Sequence, residues 1–360
     1  MPSKFPFQIT ELNSVAMSIK KYFTAYVFFY CLFGLHLQSA VAQKADPPGT
    51  ILEYLSREEG AKMTLDADMT TLLANRHADE YYPAILTLAD GKTFQVRIKP
   101  KGKYRRKVAE VPPLKIKFTK KSLLAEKLDT LNEVKLVLPV YDNSLGDELI
   151  IREYLVYRMF EQLTGASVRA RLVRLTLRDT HVEKSRKIMY AILVEDDEET
   201  AKRLNGEETE QYGMPADSLI AHQAALVAMF EYMIGNTDWD MSMMRNVRFV
   251  RSKENGKVLV LPYDFDFSGF VAAPYASPAS ESGLVTVRDR YLMANGISKD
   301  ALRRATQRLR SAKADLYNIC RSKYLSRESS IGLIEYLETF YEQIDRYDDV
   351  PVRMRVPLTE

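Results

Sequence analysis

Two short acidic segments contain the residue types that metal-assisted chemistry needs. The first contains Asp238 and ends at Asn246, and the second, residues 262–266, contains Asp264 and Asp266. The residues between them form two apolar runs separated by a polar segment with a glycine, which predicts a β-hairpin. A hairpin brings its two flanks together, so we expect Asp238, Asn246 and Asp264 to lie side by side. Oxygen ligands for a divalent cation, next to an aspartate that can hold an incoming hydroxyl, are what phosphoryl transfer requires.

The same residue types have a simpler interpretation. Asp and Asn are common before and after strands, because their side chains cap local backbone groups in turns. Here, however, they interrupt a strongly apolar context formed by residues 229–234 and 258–261. Charged side chains set between buried segments need a partner such as a metal ion or a basic group. The apolar context therefore favours the metal site.

Composition limits the classes of protein to be considered. The 360 residues are 46% hydrophobic and 28% charged, which predicts a large core in one or two lobes. The net charge of +3 is too small to indicate nucleic-acid binding, and no basic stripe alternates with aromatic residues. The sequence has no nucleophile elbow, no H-E-x-x-H motif and no cysteine cluster, so it does not favour a hydrolase.

The N-terminus has the pattern of a secretory signal peptide. Lys20 and Lys21 precede an apolar stretch at residues 23–37, which is followed by small residues up to Ala42. This order predicts a signal peptide over residues 1–42 that is cleaved after Ala42, and hence a secreted or periplasmic protein. The apolar stretch is short for a membrane span, and an uncleaved anchor is the alternative. After cleavage we expect no stable transmembrane span.

Strands dominate the first half of the remaining chain and helices the second. The periodicity predicts strands at residues 81–88, 93–99, 114–118, 134–140, 168–177 and 187–194. It predicts helices at residues 147–163, 218–234, 299–324 and 327–346. Segregation of this kind indicates an α+β fold with two lobes and a cleft. We therefore assign residues 47–195 to a β-rich N-lobe and residues 196–360 to a helical C-lobe that carries the hairpin.

Phosphoryl transfer also needs a cation for the phosphates and a carboxylate that fixes this cation. The strand at residues 114–118 alternates apolar and cationic residues, and so offers Lys115 and Lys117 on one face. The helix that follows offers Glu153, with Arg152 adjacent. A strand lysine paired with a helix glutamate is the arrangement found in protein kinases.

The order of these parts resembles the spore coat protein H-type (CotH) kinase-like family over about residues 80–270. Residues 99–118 resemble its glycine-bearing loop and Lys-x-Lys strand, and residues 145–160 resemble its Asp-x-x-x-x-Arg helix. Residues 190–195 resemble its strand that ends in Val-Glu, and residues 262–266 resemble its Pro-Trp-Asp-x-Asp motif. The resemblance implies a two-lobed, atypical protein-kinase-like fold of the α+β class.

The resemblance also implies an activity, which is Mg-ATP-dependent phosphoryl transfer to a protein hydroxyl, with Mg²⁺ or Mn²⁺ as the metal. The nucleotide and an unidentified protein substrate are the partners that it implies. The roles that it implies are Asp238 as the catalytic aspartate, Lys115 at the phosphates with Lys117 as the alternative, Glu153 paired with that lysine, Arg152 reaching phosphate, Glu195 near the nucleotide base, Asn246 and Asp264 at the metal, and Asp266 beside them or at a second metal.

One spacing departs from the family pattern. Kinase-like catalytic loops leave four residues between the aspartate and the asparagine. In this chain seven residues separate Asp238 from Asn246, and five separate Asp240 from Asn246. Both aspartates therefore remain candidates for the catalytic position. Gly235 and Asn236, directly before Asp238, favour Asp238.

Two other functions remain open. A catalytically inactive pseudokinase would serve as an envelope or surface binding module, which the limited supply of ATP outside the cytoplasm favours. A purely structural Ca²⁺ site formed by Asp238, Asp240, Asp264 and Asp266 is the other. The basic residues at 99–107 are interpreted either as a solvated loop or as a loop that covers phosphate around its glycine.

Overall fold

A computed structural model describes residues 49–346 and 353–354, which belong to one compact unit. The predicted signal peptide at residues 1–42 lies outside the described residues. The helices are α1 (Ile51–Leu55), α2 (Met69–Ala74), α3 (Arg105–Val108), α4 (Lys120–Ala125), α5 (Ser144–Leu163), α6 (Asp197–Arg203), α7 (Ala221–Ile234), α8 (Lys299–Cys320) and α9 (Arg327–Arg346). The strands are β1 (Ala61–Ala67), β2 (Tyr82–Leu88), β3 (Thr93–Pro100), β4 (Leu114–Phe118), β5 (Glu133–Val137), β6 (Ala170–Asp179), β7 (Arg186–Val194), β8 (Gly206–Glu208), β9 (Val247–Ser252), β10 (Val258–Pro262), β11 (Arg290–Tyr291) and β12 (Arg353–Met354).

The first half of the described chain folds into a closed barrel. Its strands follow the order β1-β2-β3-β4-β5-β7-β6, and β6 closes the barrel by pairing in parallel with β1, where Ala61 lies opposite Val173. The other neighbouring strands of the barrel run antiparallel. Closure pairs both edges of the sheet, so its backbone groups find partners within the fold.

Side chains that alternate along each strand fill the barrel. In β4, Leu114, Ile116 and Phe118 are buried in this core, whereas Lys115 and Lys117 lie on the outer face. The alternation of apolar and cationic residues predicted this strand with the bounds that the structure has. The outer face of the barrel is therefore where β4 presents its charges.

A β-rich N-lobe was expected, and its closed barrel is not the form of a typical two-lobed kinase N-lobe. The mixed α and β character is confirmed, and so are β2 and β3, which pair antiparallel. Closure depends on β1, which the periodicity did not identify, and on its pairing with the distant β6. A pairing between segments so far apart in sequence leaves no local pattern from which it could be predicted.

A second core lies in the helical half. α7 is apolar on nearly all sides, as a fully buried helix is, and it packs against α8. α5 also packs against α8, and its buried side chains belong to this core rather than to the barrel core. The helical half contains a sheet in the order β10-β9-β8 as well. Among the residues that the structure describes, every helix is too short or too polar to cross a lipid bilayer.

Candidate functional site

The hairpin predicted between the two acidic segments is confirmed. β9 and β10 pair antiparallel with Val247 opposite Pro262, so the residues that flank this pair meet at one end of the hairpin. There the backbone N–H of Tyr263 donates a hydrogen bond to the carbonyl of Asn246 (3.0 Å). Because Asp264 follows Tyr263, the hairpin brings Asn246 and Asp264 to the same end of the sheet.

Asp238 and Asn246 are in direct contact. The side-chain Nδ2 of Asn246 donates to Oδ2 of Asp238 (3.0 Å) and to the backbone carbonyl of Asp238 (2.6 Å). The backbone N–H of Asp238 donates to Oδ1 of Asn236 (2.9 Å), a residue that is buried. Asp238 is therefore held by both asparagines, and the side-chain oxygen of Asn246 takes no part in holding it.

A buried helix that ends just before Asp238 sets the position of this aspartate. α7 ends at Gly235, whose φ of +66° lies in the left-handed region. A Cβ at this position would lie 2.2 Å from the hydroxyl of Tyr336, so both the conformation and the space require glycine. The N–H of Asn236 then donates to the carbonyl of Glu231 in the last turn of the helix (2.9 Å).

Asn246 and Asp264 both have left-handed backbone conformations, with φ of +52° and +63°. Asn and Asp tolerate this region better than other non-glycine residues, yet each such residue costs on the order of 1 kcal/mol or more. Strain of this kind persists only where the surroundings fix it, and it is concentrated at functional sites. The hydroxyl of Tyr157 helps to fix Asp264, because it accepts a hydrogen bond from the N–H of this residue (2.9 Å).

Asp240 is bonded within residues 240–245, where it closes a local loop. Its backbone exchanges two hydrogen bonds with Arg245, each 2.9 Å long, and its Oδ1 accepts from the N–H of Met243 (2.8 Å). The additional residues of the loop are thereby folded into a turn. The long spacing consequently does not separate Asp238 from Asn246, and of the two candidate aspartates the geometry favours Asp238.

A buried arginine lies at the second acidic segment. Arg105, on α3, donates to Oε2 of Glu153 (2.5 Å) and to Oδ2 of Asp266 (2.8 Å). Its guanidinium also lies 3.7 Å from Oδ1 of Asp264. Arg105 therefore joins the loop after β3 to α5 and to the segment that follows the hairpin.

Sequence reasoning missed Arg105. It paired Glu153 with Lys115 and treated Arg105 as one of the basic residues at 99–107. The structure corrects this pairing, because the partner of Glu153 is Arg105. Arg105 is only 6% exposed, whereas nearby Lys103 is exposed, and charge alone does not distinguish the two.

Aromatic side chains cover these ion pairs. The rings of Tyr104 and Phe267 lie edge to face with their centroids 5.2 Å apart, and the centroid of Tyr275 lies 5.7 Å from that of Phe267. The hydroxyl of Tyr275 also donates to Oδ2 of Asp266 (3.0 Å). Arg105, Glu153 and Asp266 are themselves buried, and burial strengthens the electrostatic interactions that Arg105 makes.

Carboxylates outnumber cations in this cluster. Burial raises the pKa of Glu153 to about 7, although Arg105 acts in the opposite direction. Loss of hydration and the neighbouring Asp266 raise the pKa of Asp264 well above its usual range, even though 44% of that side chain is exposed. Burial also raises the pKa of Asp238. A divalent cation bound beside these groups would relieve the excess of negative charge.

The site does not contain a preformed carboxylate cage. Among residues 49–346 and 353–354, no group of three or more His, Cys, Asp or Glu side chains is arranged to hold a metal ion. The four aspartates considered for a Ca²⁺ site from the sequence do not form such a group in the described residues. Mg²⁺ at nucleotide sites is commonly held by one or two carboxylates together with phosphate oxygens and water. Asp264 and the amide oxygen of Asn246 fit that smaller set of ligands.

Lys115 and Lys117 lie on the outer face of β4, but with partners other than the expected one. Nζ of Lys115 lies 2.5 Å from Oε2 of Glu133 and 3.3 Å from Oδ2 of Asp196. Nζ of Lys117 lies 2.6 Å from Oε1 of Glu133. Against the effect of burial, the two lysines lower the pKa of Glu133 to about 2. Both lysines are therefore engaged with a charged carboxylate.

Arg152 and Glu195 make their contacts away from Asp238. Arg152 donates to Oε1 of Glu148 (2.6 Å). Glu195 is fully buried and accepts from Nε of Arg169 (2.9 Å) and from Nε of Arg203 (2.7 Å). The roles implied for Arg152 and Glu195, at phosphate and near the base, stay predictions.

The outer face of β3, β4 and β5 is strongly cationic. The cross-strand register sets Arg97 opposite Lys117, Lys99 opposite Lys115, and Lys115 opposite Lys135. Like charges directly opposite one another destabilise a sheet. This face therefore needs carboxylates or a bound anion to offset its positive charge.

A chain of contacts links this cationic face to the acidic site. Nζ of Lys135 lies 2.7 Å from Oδ2 of Asp197, and Oδ1 of the same carboxylate lies 2.5 Å from Nε of Arg248. The guanidinium of Arg248 lies over the ring of Tyr263, 4.8 Å from its centroid. Tyr263 directly precedes Asp264. Cations of the barrel face and carboxylates of the hairpin end consequently belong to one connected region.

Glu231 is a buried carboxyl in the last turn of α7, just before the turn that carries Asp238. It is fully buried, and burial raises its pKa from 4.5 to about 8. In the folded protein it keeps its proton at neutral pH, whereas the unfolded chain releases that proton above pH 4.5. The Glu231 contribution to stability therefore falls as the pH rises from 4.5 to about 8, and then levels off.

We expect Glu231→Gln to remove this fall, because glutamine resembles the protonated carboxyl. Urea unfolding of the full chain should show the variant to be more stable than the wild type, by a few kcal/mol, at about pH 9 and no more stable at about pH 4.5. Glu335→Gln, at an exposed position on α9, is the matched control and should follow the wild type. Parallel pH profiles for the wild type and Glu231→Gln would contradict the assignment.

Comparison with known proteins gives a distant likeness. No protein-family model matches the chain, and no curated protein matches it. Among solved structures, the crystal structure of a Helicobacter pylori proinflammatory kinase, CtkA, is similar over 63% of this chain and 90% of that chain. The sequence identity is 9% and the TM-score is 0.36. A distant structural neighbour is thus a kinase, but a likeness this weak carries no argument about what this chain does.

Proposed function

We propose that this protein is a kinase-like enzyme that transfers the terminal phosphoryl group of ATP to a protein hydroxyl with the help of Mg²⁺ or Mn²⁺. The observation that carries the proposal is the cluster at the end of the β9–β10 hairpin, where Asn246 holds Asp238 and Asp264 lies beside it. The cationic barrel face supports the proposal, because a polyphosphate needs cations as well as a metal ion. Lys135 and Arg248 connect that face to the cluster.

Asp238 acts on the acceptor hydroxyl. Its position is fixed by Asn246, and burial raises its pKa toward the range in which a carboxylate is an efficient proton acceptor at neutral pH. The acceptor O–H donates to Asp238, and its oxygen forms a bond to the terminal phosphorus. The bond from that phosphorus to the bridging oxygen breaks, ADP leaves, and the carboxylate of Asp238 takes up the hydroxyl proton.

Asp264 and the side-chain oxygen of Asn246 are the metal-binding groups in this proposal. These two groups would hold Mg²⁺ or Mn²⁺, which would supply positive charge against the phosphates. Asp266 has a different role, because its Oδ2 accepts hydrogen bonds from Arg105 and Tyr275. It holds the segment on which Asp264 lies.

Arg105 and Glu153 form the ion pair that we first assigned to a lysine and a glutamate. A guanidinium is planar and always charged, so Arg105 can bridge Glu153 and Asp266 at the same time. The pair holds the segment that carries Asp264, because Arg105 is also bonded to Asp266 and lies 3.7 Å from Asp264. Arg105 is therefore a positioning residue.

The family and the location are part of the same proposal. Residues 99–118, 145–160 and 262–266 support membership of the CotH kinase-like family through the motifs that they contain. Residues 1–42 support export, because they have the order of a secretory signal peptide. An exported chain would be recovered outside the cytoplasm with its N-terminus at Gln43.

A catalytically inactive pseudokinase that serves as an envelope or surface binding module is the second candidate. The observation that favours it is Arg105, which already sets a positive charge beside Asp264 and Asp266. In that case the cluster would be a structural ion-pair network. The two candidates differ in whether labelled phosphate moves from ATP to a protein in the presence of the metal.

Thermal unfolding of the full chain with Mn²⁺ alone, ATP alone and both together tests the proposal. We expect a clear stabilisation only with both, since a ligand at 100 times its Kd contributes about 2.7 kcal/mol. Asp240→Asn is the control, because Asp240 closes its own loop, and it should keep this response. No stabilisation by saturating Mn²⁺ and ATP would overturn the proposal, and stabilisation by Ca²⁺ without nucleotide would point to a structural ion instead.

A further inference from the structure

The lysines of the cationic barrel face are not equivalent. Lys99 pairs with Asp79 at 2.7 Å, and Lys115 and Lys117 share Glu133. Within residues 49–346, each of these three ammonium groups thus has a carboxylate partner. Such a lysine must lose its partner before it can bind a phosphate.

Lys101 differs from these lysines. It directly follows β3, and its backbone N–H donates to the carbonyl of Pro113 just before β4 (2.7 Å), so its backbone lies at the end of the same strand pair. Among the described residues, its ammonium group has no carboxylate within ion-pair distance. Burial lowers the pKa of Lys101, and the nearby positive charges of Lys115 and Lys99 lower it further. Asp79, which pairs with Lys99, acts on this pKa in the opposite direction, so the protein balances the positive charge of Lys101 only in part.

Lys101 also lies close to the acidic site along the chain. Gly102 follows Lys101 with a φ of +83°, which turns the backbone. Arg105 comes four residues after Lys101. The guanidinium of Arg105 is bonded to Asp266 and lies 3.7 Å from Asp264. Along the chain, Lys101 thus lies between β3 of the cationic barrel face and Arg105, which contacts the carboxylates proposed to hold the metal.

We propose that Lys101 binds the polyphosphate of the nucleotide, the role first given to Lys115, and that Lys115 is a structural residue. This inference rests on the proposed function and adds the phosphate-binding group to it. The ligand class is a nucleoside diphosphate or triphosphate, which is the polyphosphate anion that the proposed function requires. Lys115 would have to leave both Glu133 and Asp196 to do the same.

The test measures binding of Mn²⁺·ATP, ADP and AMP to full-length wild type, Lys101→Met, Lys101→Arg and Lys115→Met. We expect Lys101→Met to weaken ATP binding by about 10- to 100-fold, to leave AMP binding nearly unchanged and to keep the unfolding temperature without ligand. Lys101→Arg should recover most of the ATP affinity, because the charge is kept. Lys115→Met should lower the unfolding temperature, because it leaves Asp196 without the cation that it pairs with and leaves Glu133 with Lys117 alone.

Lys103→Met is the matched control, since Lys103 is an exposed lysine two residues further along the loop. It should bind ATP as the wild type does. If Lys101→Met binds ATP no more weakly than Lys103→Met, the inference is overturned while the proposed function stands. If the wild type binds no nucleotide in the presence of Mn²⁺, both are overturned.

Discussion

Replacing Arg105 by methionine is expected to lower the free energy of unfolding by about 3–5 kcal/mol at neutral pH, which is the usual cost of removing one partner from a buried ion pair. Arg105 is 6% exposed and is bonded to Glu153 and Asp266, with Asp264 at 3.7 Å. Without the guanidinium these carboxylates remain beneath the aromatic cover with no cation to balance them. Urea unfolding of the full chain measures the loss.

The loss should depend on pH in a defined direction. Arg105 acts to lower the pKa of Glu153, so without Arg105 the folded-state pKa of Glu153 rises further above that of the unfolded chain. The contribution of Glu153 to stability then falls as the pH rises above 4.5, its usual pKa, and it goes on falling through about 7, its pKa in the folded wild type. The difference between Arg105→Met and the wild type should consequently be larger at neutral than at acidic pH.

Arg106→Met is the matched control for Arg105→Met. Arg106 is the next residue, but its guanidinium donates to the carbonyl of Pro100 (2.8 Å) and is not bonded to a carboxylate of the cluster within the described chain. We expect its replacement to cost less than about 1 kcal/mol. Equal losses for the two variants, or no loss for Arg105→Met, would show that the bonds of Arg105 to Glu153 and Asp266 do not stabilise the fold.

Asp264→Asn is expected to have opposite effects on stability and on function. Without ligand the variant should be slightly more stable, by about 1 kcal/mol or less because the side chain is partly exposed to solvent. The reason is that one negative charge leaves a cluster in which loss of hydration and Asp266 raise the pKa of Asp264. Asparagine also tolerates the φ of +63°, and the N–H bond to Tyr157 is kept.

The same variant should lose the response to metal and nucleotide. Its stabilisation by Mn²⁺ and ATP together should disappear, and phosphoryl transfer should fall by at least about 100-fold. Asp240→Asn, at the aspartate that closes its own loop, should change neither property. A full Mn²⁺–ATP response in Asp264→Asn would remove Asp264 from the metal site.

The local parts of the site were predictable from the sequence. Two apolar runs around a polar turn identified the hairpin, and a hairpin has to bring Asn246 next to residue 263. Alternation along residues 114–118 gave β4 and the outward face of Lys115. Both inferences rest on periodicity and turn chemistry, which act over a few residues.

The long-range parts were not predictable in this way. Arg105 meets Glu153 across 48 positions of the chain and Asp266 across 161. A run of basic residues does not reveal which member will be buried, so Lys115 was paired with Glu153 instead. Barrel closure by β1 and β6 escaped prediction for the same reason, because their parallel pairing is set by the tertiary fold.

The position of the metal ion tests the central claim most directly. Crystals of the full-length protein with Mn²⁺ and a non-hydrolysable ATP analogue would locate the ion by its anomalous scattering. We predict a Mn²⁺ ion in direct contact with the Asp264 carboxylate and the side-chain oxygen of Asn246, with phosphate oxygens completing its coordination. A Mn²⁺ ion and nucleotide bound elsewhere, with Asp264 still facing only Arg105, would contradict the account.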